Sequence, residues 1–318
     1  MGTMYDVIVL GGGPAGLSAA LYAGRARLSA LLLERGAVGG QIAQSSEIEN
    51  YPGSLPHESG ESLVARMSAQ AERFGAERIS DTVTAVSAEG ETKVLTGMKG
   101  SYSCRALIVA TGAVPVQIGC PGERELIGRG VSYCATCDAA FFEGLEVYVV
   151  GGGDSAVEEA LYLTKFARKV TLVHRRDALR AAKCIQERAF AEPKLSFLWD
   201  SVVEELRGDG LLESMTLRNV KTGAAATVAA DEADGTFGLF VFIGLHPASE
   251  LFAGKLDMEN GYILTDEGMA TNLPGVFAAG DVRKKTLRQV VTAAADGAVA
   301  AVRAEKYLEE RKAVSHRG

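Results

Sequence analysis

The sequence predicts an α/β chain built of two Rossmann-like dinucleotide-binding domains, and three observations carry that expectation. A short buried-strand pattern, Asp6-Val-Ile-Val-Leu10, runs into Gly11-Gly-Gly-Pro-Ala-Gly16 and then into the helical stretch Leu17 to Gly24. The same order returns at a constant shift of 140, where Glu146-Val-Tyr-Val-Val150 enters Gly151-Gly-Gly-Asp-Ser-Ala156. The length, 318 residues, suits about two domains. Thirty-seven glycines against eight prolines, with no low-complexity run, point to tight strand-to-helix turns rather than flexible linkers.

In the first copy Gly11, Gly13 and Gly16 match GxGxxG. The first glycine makes the turn, the second lets a pyrophosphate reach backbone, and the third lets the helix pack close. The second strand, Ala30 to Leu33, ends in Glu34, 21 residues after Gly13, where this fold places an acid to accept hydrogen bonds from a ribose hydroxyl. Arg35-Gly-Ala-Val-Gly-Gly-Gln41 follows as a loop able to track a cofactor's diphosphate and ribityl chain, and Glu49-Asn-Tyr-Pro-Gly53 is a turn signal. Glu61 to Phe74 reads as an amphipathic packing helix through Leu63, Val64, Met67, Ala71 and Phe74. Ala106-Leu-Ile-Val-Ala-Thr-Gly112 is a buried strand ending in a glycine turn, with Pro115 three residues on.

The shift carries Gly11 to Gly151, Gly13 to Gly153, Gly16 to Ala156 and Ala20-Leu-Tyr22 to Ala160-Leu-Tyr162. It also sets His174 where Glu34 stood. An acid there suits a free ribose hydroxyl, whereas His174-Arg175-Arg176, with Arg180 a turn later, suits a phosphate dianion on that hydroxyl. The second site is therefore expected to prefer NADPH to NADH. This copy closes as the first did, with Leu239-Phe-Val-Phe-Ile-Gly244 and then Pro247, so the repeats run roughly 6 to 115 and 146 to 247. The remaining tail holds Gly275-Val-Phe-Ala-Ala-Gly-Asp281 and a helix expected from Gln289 to Glu310. It is too short for a nucleotide domain of its own and is expected to complete one of the two units.

Between the repeats lies Cys134-Ala-Thr-Cys137, followed by Asp138. Two cysteines so spaced can close a reversible disulfide whose thiolate does nucleophilic chemistry. The same spacing is half of a zinc site, which would need a second ligand pair at similar spacing. Cys104, Cys120 and Cys184 are scattered, as are His57, His174, His246 and His316, so redox chemistry is the favoured reading. Five cysteines, only two of them paired by spacing, fit a reducing compartment, and a cytoplasmic location is expected. Met1 to Leu10 lacks a basic n-region, and the longest apolar runs, such as Leu239 to Ile243, are strand-length, so neither export nor membrane insertion is expected. A net charge of -7 argues against a nucleic-acid partner.

Taken in order, GGGPAG at Gly11, GGQ at Gly39, ENYPG at Glu49, ATG at Ala110, CATCD at Cys134, GGGDSAVEEA at Gly151, HRRxxxR at His174, FAAGD at Phe277 and RQ at Arg288 resemble the low-molecular-weight, bacterial-type thioredoxin reductases over nearly the whole chain. The resemblance implies FAD in the first domain, NADPH in a middle domain inserted into it, and a homodimer. The expected segments are 1–115 and 246–318 for FAD, and 116–245 for NADPH and the CxxC. Carried over by position, Gly11, Gly13, Ala15 and Gly16 meet FAD. So do Glu34, Arg35, Gly36, Ala37, Val38, Gly39, Gly40 and Gln41, together with Asn50. Asp281 holds the ribityl and diphosphate region, Gln289 and Val290 meet the flavin ring, and Val282 and Arg288 are further cofactor-binding residues. Gly153, Asp154, Ser155 and Ala156 meet the NADPH diphosphate, beside His174, Arg175, Arg176 and Arg180. Cys137 faces the flavin, Cys134 attacks the partner disulfide, and Asp138 is the nearby acid, an N-cap carboxylate for the next helix being its structural alternative.

Two departures stand out from the family pattern: Ala139-Ala140 after CATCD and Ala248-Ser249 after Pro247. They bear on the partner-facing surface or the cysteine loop, and so on the identity of the partner, and not on the reaction class. The implied route runs from NADPH through FAD to the Cys134/Cys137 disulfide and on to a thioredoxin-like protein. Disulfide and nicotinamide would share a domain and a flavin, which suggests domain rotation with hinges near Val114 to Gln117 and Gly244 to Pro247. Rival readings are a dithiol oxidase using oxygen, a reductase fed by ferredoxin, and a nucleotide-sensing scaffold with a structural CxxC. The basic set at His174 argues against the first two.

Overall fold

The computed structural model describes residues 3–45, 48 and 50–315; Glu49 of the turn signal and His316 lie outside them. The chain divides into two compact units, one made of Met1–Val114 with His246–Gly318 and the other of Pro115–Leu245.

In the first unit β1 (Met4–Leu10) carries Val7, Ile8 and Val9, all fully buried. A strand covered on both faces reads as a continuous apolar run, the pattern of a central parallel strand. Next come α1 (Pro14–Arg25), β2 (Ala30–Glu34), α2 (Gly60–Arg73) and β3 (Glu77–Ser80). Pro14 opens α1 at a position whose N–H would have no helical partner anyway. Ser59 caps α2 by accepting a hydrogen bond from the Ser62 amide. β4 (Val83–Ser87), β5 (Lys93–Gly97) and β6 (Ser101–Val109) form an antiparallel meander that rejoins the sheet in the order β3-β2-β1-β6-β5-β4, and β7 (Ala113–Pro115) leads out.

The second unit begins with β8 (Val131–Ser132) and α3 (Ala135–Asp138), then runs β9 (Glu146–Gly151), α4 (Asp154–Leu163), β10 (Lys169–Val173), α5 (Lys183–Ala191) and β11 (Leu195–Leu198). An antiparallel sheet of β12 (Ser201–Arg207), β13 (Ser214–Asn219) and β14 (Ala225–Ala229) precedes β15 (Gly238–Phe242). The parallel sheet has the order β11-β10-β9-β15-β8. The repeat holds down to strand register: Val7 pairs with Ala30 and Ile8 with Leu31, while Val147 pairs with Val170 and Tyr148 with Thr171. All four pairs obey the shift of 140.

The returning chain enters through β16 (Leu245–Pro247), makes the hairpin β17 (Met258–Glu259) and β18 (Tyr262–Ile263), and adds β19 (Val276–Ala278) alongside β6, with Val276 opposite Leu107. It ends in α6 (Val290–Ser315). The tail therefore completes the first unit. On each side of the crossings the backbone is tied within its own unit: the Ala248 amide donates to the Gly112 carbonyl at 2.9 Å, and the Val116 amide to the Gly244 carbonyl at 3.0 Å. Among the described residues no helix is long and apolar enough to cross a membrane.

α6 lies against α1 through small residues. The Ser18 hydroxyl donates to the Ala294 carbonyl at 2.7 Å, and a Cβ on Gly297 would collide with the Ala15 carbonyl oxygen. Gly297→Ala should force the two helices apart and cost about 1–3 kcal/mol, the usual range for overpacking. Denaturant unfolding of the variant against the parent checks this, and an unchanged midpoint would mean the helices have room to spare.

Candidate active site

The first cradle is set by what glycine lacks. Gly11 has φ 109, and a Cβ on Gly16 would strike the Gly11 carbonyl oxygen, so α1 can begin directly against the end of β1 only without that atom. Gly13 faces open space, its nearest neighbour being the Gly39 carbonyl oxygen at 4.0 Å from an added Cβ. No side chain caps α1, which leaves the amides of Ala15 and Gly16 as donors for an anion. Glu34 closes the mouth: its carboxylate accepts from the Gly12 amide at 2.6 Å and from the Gly36 amide at 3.3 Å.

Arg35, Gly36 and Ala37 are exposed beyond it, and Val38 packs on the core. The chain then folds back: the Gly39 amide donates to the Gly12 carbonyl at 2.7 Å, Gly40 takes φ 60, and the Gln41 amide group donates to the Ala113 carbonyl.

The tail brings the other expected residues to this unit. Gly280, with φ 77, sits where a Cβ would lie 2.8 Å from that of Ala15, which sets the Gly280–Val282 turn beside the glycine motif. Asp281 has a buried carboxylate oxygen with no hydrogen-bond partner, the nearest cation being Lys285 at 3.8 Å. Burial pushes its carboxyl upward, against the pull of Lys285 and Arg288. Val282 is fully buried, and Val290 packs with Ile48 and Leu63. The Asn50 side-chain amide donates to that of Gln289 at 3.1 Å, and Arg288 stacks 4.3 Å over the Tyr262 ring with its Nε unpartnered.

Sequence reasoning missed the anchor of this segment. Asp296, buried on α6, accepts from the Gly280 amide at 3.0 Å, the Lys285 ammonium at 2.9 Å and the Arg283 guanidinium at 3.3 Å. An acid inside the alanine-rich run Ala293-Ala-Ala-Asp-Gly was the available signal.

The second cradle repeats the first with different chemistry. Gly153 begins α4 without a side-chain cap, and a Cβ there would meet nothing within 4 Å, so the amides of Asp154, Ser155 and Ala156 are presented as those of α1 are. The Asp154 carboxylate is turned aside to accept from the Ala182 amide at 2.7 Å. Gly152 stands to the His174 ring as Gly12 stands to Glu34, and any Cβ on Gly152 would enter that ring.

His174 is buried with an unpartnered Nε2. Burial, followed by the charges of Arg180 and Arg176, lowers its pKa, so the ring is neutral near pH 7. The cations of this turn are Arg175, Arg176 and Arg180. All three are exposed, and among the described residues their guanidiniums make no ion pair or hydrogen bond. The Arg180 amide donates to the Gly152 carbonyl at 2.7 Å, which fixes the basic turn beside the glycines.

Cys134 and Cys137 are joined as a disulfide, with Cα atoms 5.3 Å apart, across the one-turn helix α3. Among the described residues no three His, Cys, Asp or Glu side chains converge as metal ligands.

A family description, pyridine nucleotide-disulphide oxidoreductase, matches residues 5–297. A thioredoxin reductase from Peptoclostridium litorale is 60% identical over 98% of this chain and 99% of its own. One from Listeria innocua is 49% identical over 97% of this chain and 95% of its own. The crystal structure of a thioredoxin reductase from Streptococcus pyogenes MGAS5005 superposes with a TM-score of 0.90 at 46% identity, covering 96% of this chain and 99% of that one. The chain belongs to the thioredoxin reductases of the pyridine nucleotide-disulphide oxidoreductase family.

In this reductase the cysteine turn is held by a residue that the motif does not contain. Ser132, buried at the end of β8, accepts from the Cys134 amide at 3.1 Å and donates to Asp138 at 2.6 Å. Asp138 makes no cap bond to the turn that follows it, so its carboxylate faces Ser132 and not the helix end. The two alanines that depart from the family pattern separate: Ala139 is buried in the core with Ala135, and Ala140 is exposed. Ser249, in the other departure, is buried and donates to the Gly261 carbonyl at 2.5 Å.

Burial raises the Asp138 carboxyl, with the Ser132 hydrogen bond opposing. A carboxyl raised on folding takes up protons, so the stability it contributes is present at low pH and is lost as pH climbs through its folded pKa. Asp138→Asn should therefore gain stability relative to the parent as pH rises from about 4, the ordinary carboxyl range, towards neutrality. Urea titrations across that range decide it; a constant offset at every pH would mean that Asp138 titrates normally.

Proposed function

We infer that the protein catalyses NADPH-dependent reduction of the disulfide of thioredoxin or a thioredoxin-like protein, through FAD and the Cys134/Cys137 dithiol. The observation that carries this reading is a disulfide in the same unit as three uncommitted guanidiniums beside an uncapped helix start. When bound, the nicotinamide supplies a hydride and the flavin relays the electron pair to a disulfide.

The residues of the first unit suit FAD. Ala15 and Gly16 offer amides to the diphosphate, Glu34 accepts from a ribose hydroxyl, and the unpartnered Asp281 oxygen answers the ribityl chain. The Asn50–Gln289 pair, with Val290, lies by the ring. The second unit suits NADPH: Gly153 to Ala156 take its diphosphate, His174 shapes the ribose edge, and Arg175, Arg176 and Arg180 take the 2′-phosphate. An electron donor without that phosphate, ferredoxin or none, would leave the three arginines without a role.

The Cys134 thiolate attacks one sulfur of the partner disulfide and the other leaves as a thiolate. Cys137 then attacks Cys134 in the mixed disulfide, which releases the reduced partner and re-forms the internal disulfide. Two electrons and two protons pass to the partner, and Asp138, raised by burial, is the nearby acid for a departing thiolate. The disulfide and the nicotinamide site share one unit and need one flavin, so we assign turnover to rotation about the crossings at Val114–Pro115 and Leu245–His246. A homodimer and a cytoplasmic location complete the reading, supported by the family resemblance and the cysteine usage.

Cys134→Ser and Cys137→Ser should each retain FAD that NADPH bleaches anaerobically, yet lose turnover of thioredoxin. Substantial steady-state reduction by either variant would remove the dithiol from the route. For coenzyme choice, Arg175→Ala and Arg176→Ala each delete charge-assisted hydrogen bonds worth roughly 1.5–3 kcal/mol. The expected loss in kcat/KM is on the order of ten- to a hundredfold for NADPH and much less for NADH. Equal losses with both coenzymes would make the arginines structural.

A further inference from the structure

The arginine turn carries a built-in competitor. Asp177 follows Arg175 and Arg176 directly, and its side chain is exposed. A carboxylate on such a turn can fold onto a neighbouring guanidinium and repel an incoming phosphate. It is not folded onto a guanidinium here: Asp177 is bound instead to the Lys221 ammonium at 2.7 Å, and Arg175, Arg176 and Arg180 have no partner among the described residues.

Lys221 comes from the turn between β13 and β14, and its placement is specified. The Asn219 side chain accepts from the amides of Lys221 and Thr222, both at 3.0 Å, and Gly223 takes φ 75 to close the turn. The Val220 amide donates to the Asp200 carbonyl at 2.6 Å. Asp200 holds a left-handed backbone, φ 51, and presents one carboxylate oxygen to Lys221 at 3.1 Å. Its own amide donates to the Arg176 carbonyl at 3.3 Å, and the Ser201 amide to that of His174 at 3.0 Å. One ammonium therefore ties the arginine turn to the antiparallel sheet.

We propose that Lys221 is a positioning residue for NADPH selectivity: by binding Asp177 it keeps that carboxylate off Arg175 and Arg176 and leaves them open to a 2′-phosphate. This rests on the assignment of those arginines to NADPH. The hydrogen bond and charge of Lys221 also hold the Asp177 carboxyl below its usual range.

Calorimetric binding to the oxidised, FAD-loaded enzyme tests the proposal, with adenosine 2′,5′-bisphosphate as the phosphate-bearing probe and adenosine 5′-monophosphate as the probe without it. Lys221→Ala should weaken the bisphosphate about three- to tenfold, a size suited to one exposed charge near the site, and leave the monophosphate unchanged. Lys221→Arg should keep parental affinity, and Lys221→Ala with Asp177→Asn should recover it. Asp177→Asn alone, which keeps Lys221 on Asp200, should bind the bisphosphate at least as tightly as the parent. Equal loss of both probes, no loss in Lys221→Ala, no recovery in the double variant, or weaker binding by Asp177→Asn would each overturn the proposal. Arg176→Ala separates the two levels. If it weakens the bisphosphate while Lys221→Ala does not, only the role of Lys221 falls; if it changes nothing, the arginine assignment falls as well.

Discussion

The structure depends on a close backbone approach between a glycine turn and the helix that follows it. A helix starts directly against the end of a parallel strand, with its first amides aimed outward, where little side chain lies between the helix and the turn. Gly16 meets that condition against the Gly11 carbonyl. In the second unit the same place is held by Ala156, whose Cβ would lie 2.5 Å from one built on Gly151, and Gly151 has φ 155 where Gly11 has φ 109. The second turn accommodates one extra carbon by a change of backbone angle, and the uncapped amides remain.

With that backbone used twice, chemistry is left to the residue at the end of the second strand. Glu34 accepts from two amides, whereas His174, its pKa lowered by burial, lies on Gly152, with the charge moved outward to three arginines. Two turns of one geometry thereby carry different side chains, a carboxylate in the first and a buried ring flanked by exposed arginines in the second. Charge in the second site is exposed and depends on its surroundings, which is why a lysine from a separate sheet can matter there.

Around the disulfide the constraint is burial. Ala135 and Ala139 lie in the core on either side of Cys137, so the one-turn helix is seated by two methyl groups. Ser132 then couples Asp138 to the same turn. Partial burial of that acid raises its carboxyl, with the Ser132 hydrogen bond opposing.

Much of this was legible in residue order, because strand, glycine turn and helix are local and their steric needs are written in residue type. The shift of 140 located both turns, and in the structure it also holds for the register of the paired strands, Val7 with Ala30 and Val147 with Val170. It also located Glu34 and His174, and the CxxC declared its own spacing. The charge on His174 was not legible, since burial and neighbouring arginines set it. Residue pattern alone left open which unit the tail completes and only the resemblance assigned it to the first; in the structure β19 pairing with β6 and Gly297 meeting Ala15 decide it. Asp296 under Gly280, Asn50 with Gln289, Ser132 with Asp138 and Lys221 with Asp177 are likewise contacts of folded space. A motif records what a backbone must avoid locally; a pairing between distant segments exists only once packing has brought them together.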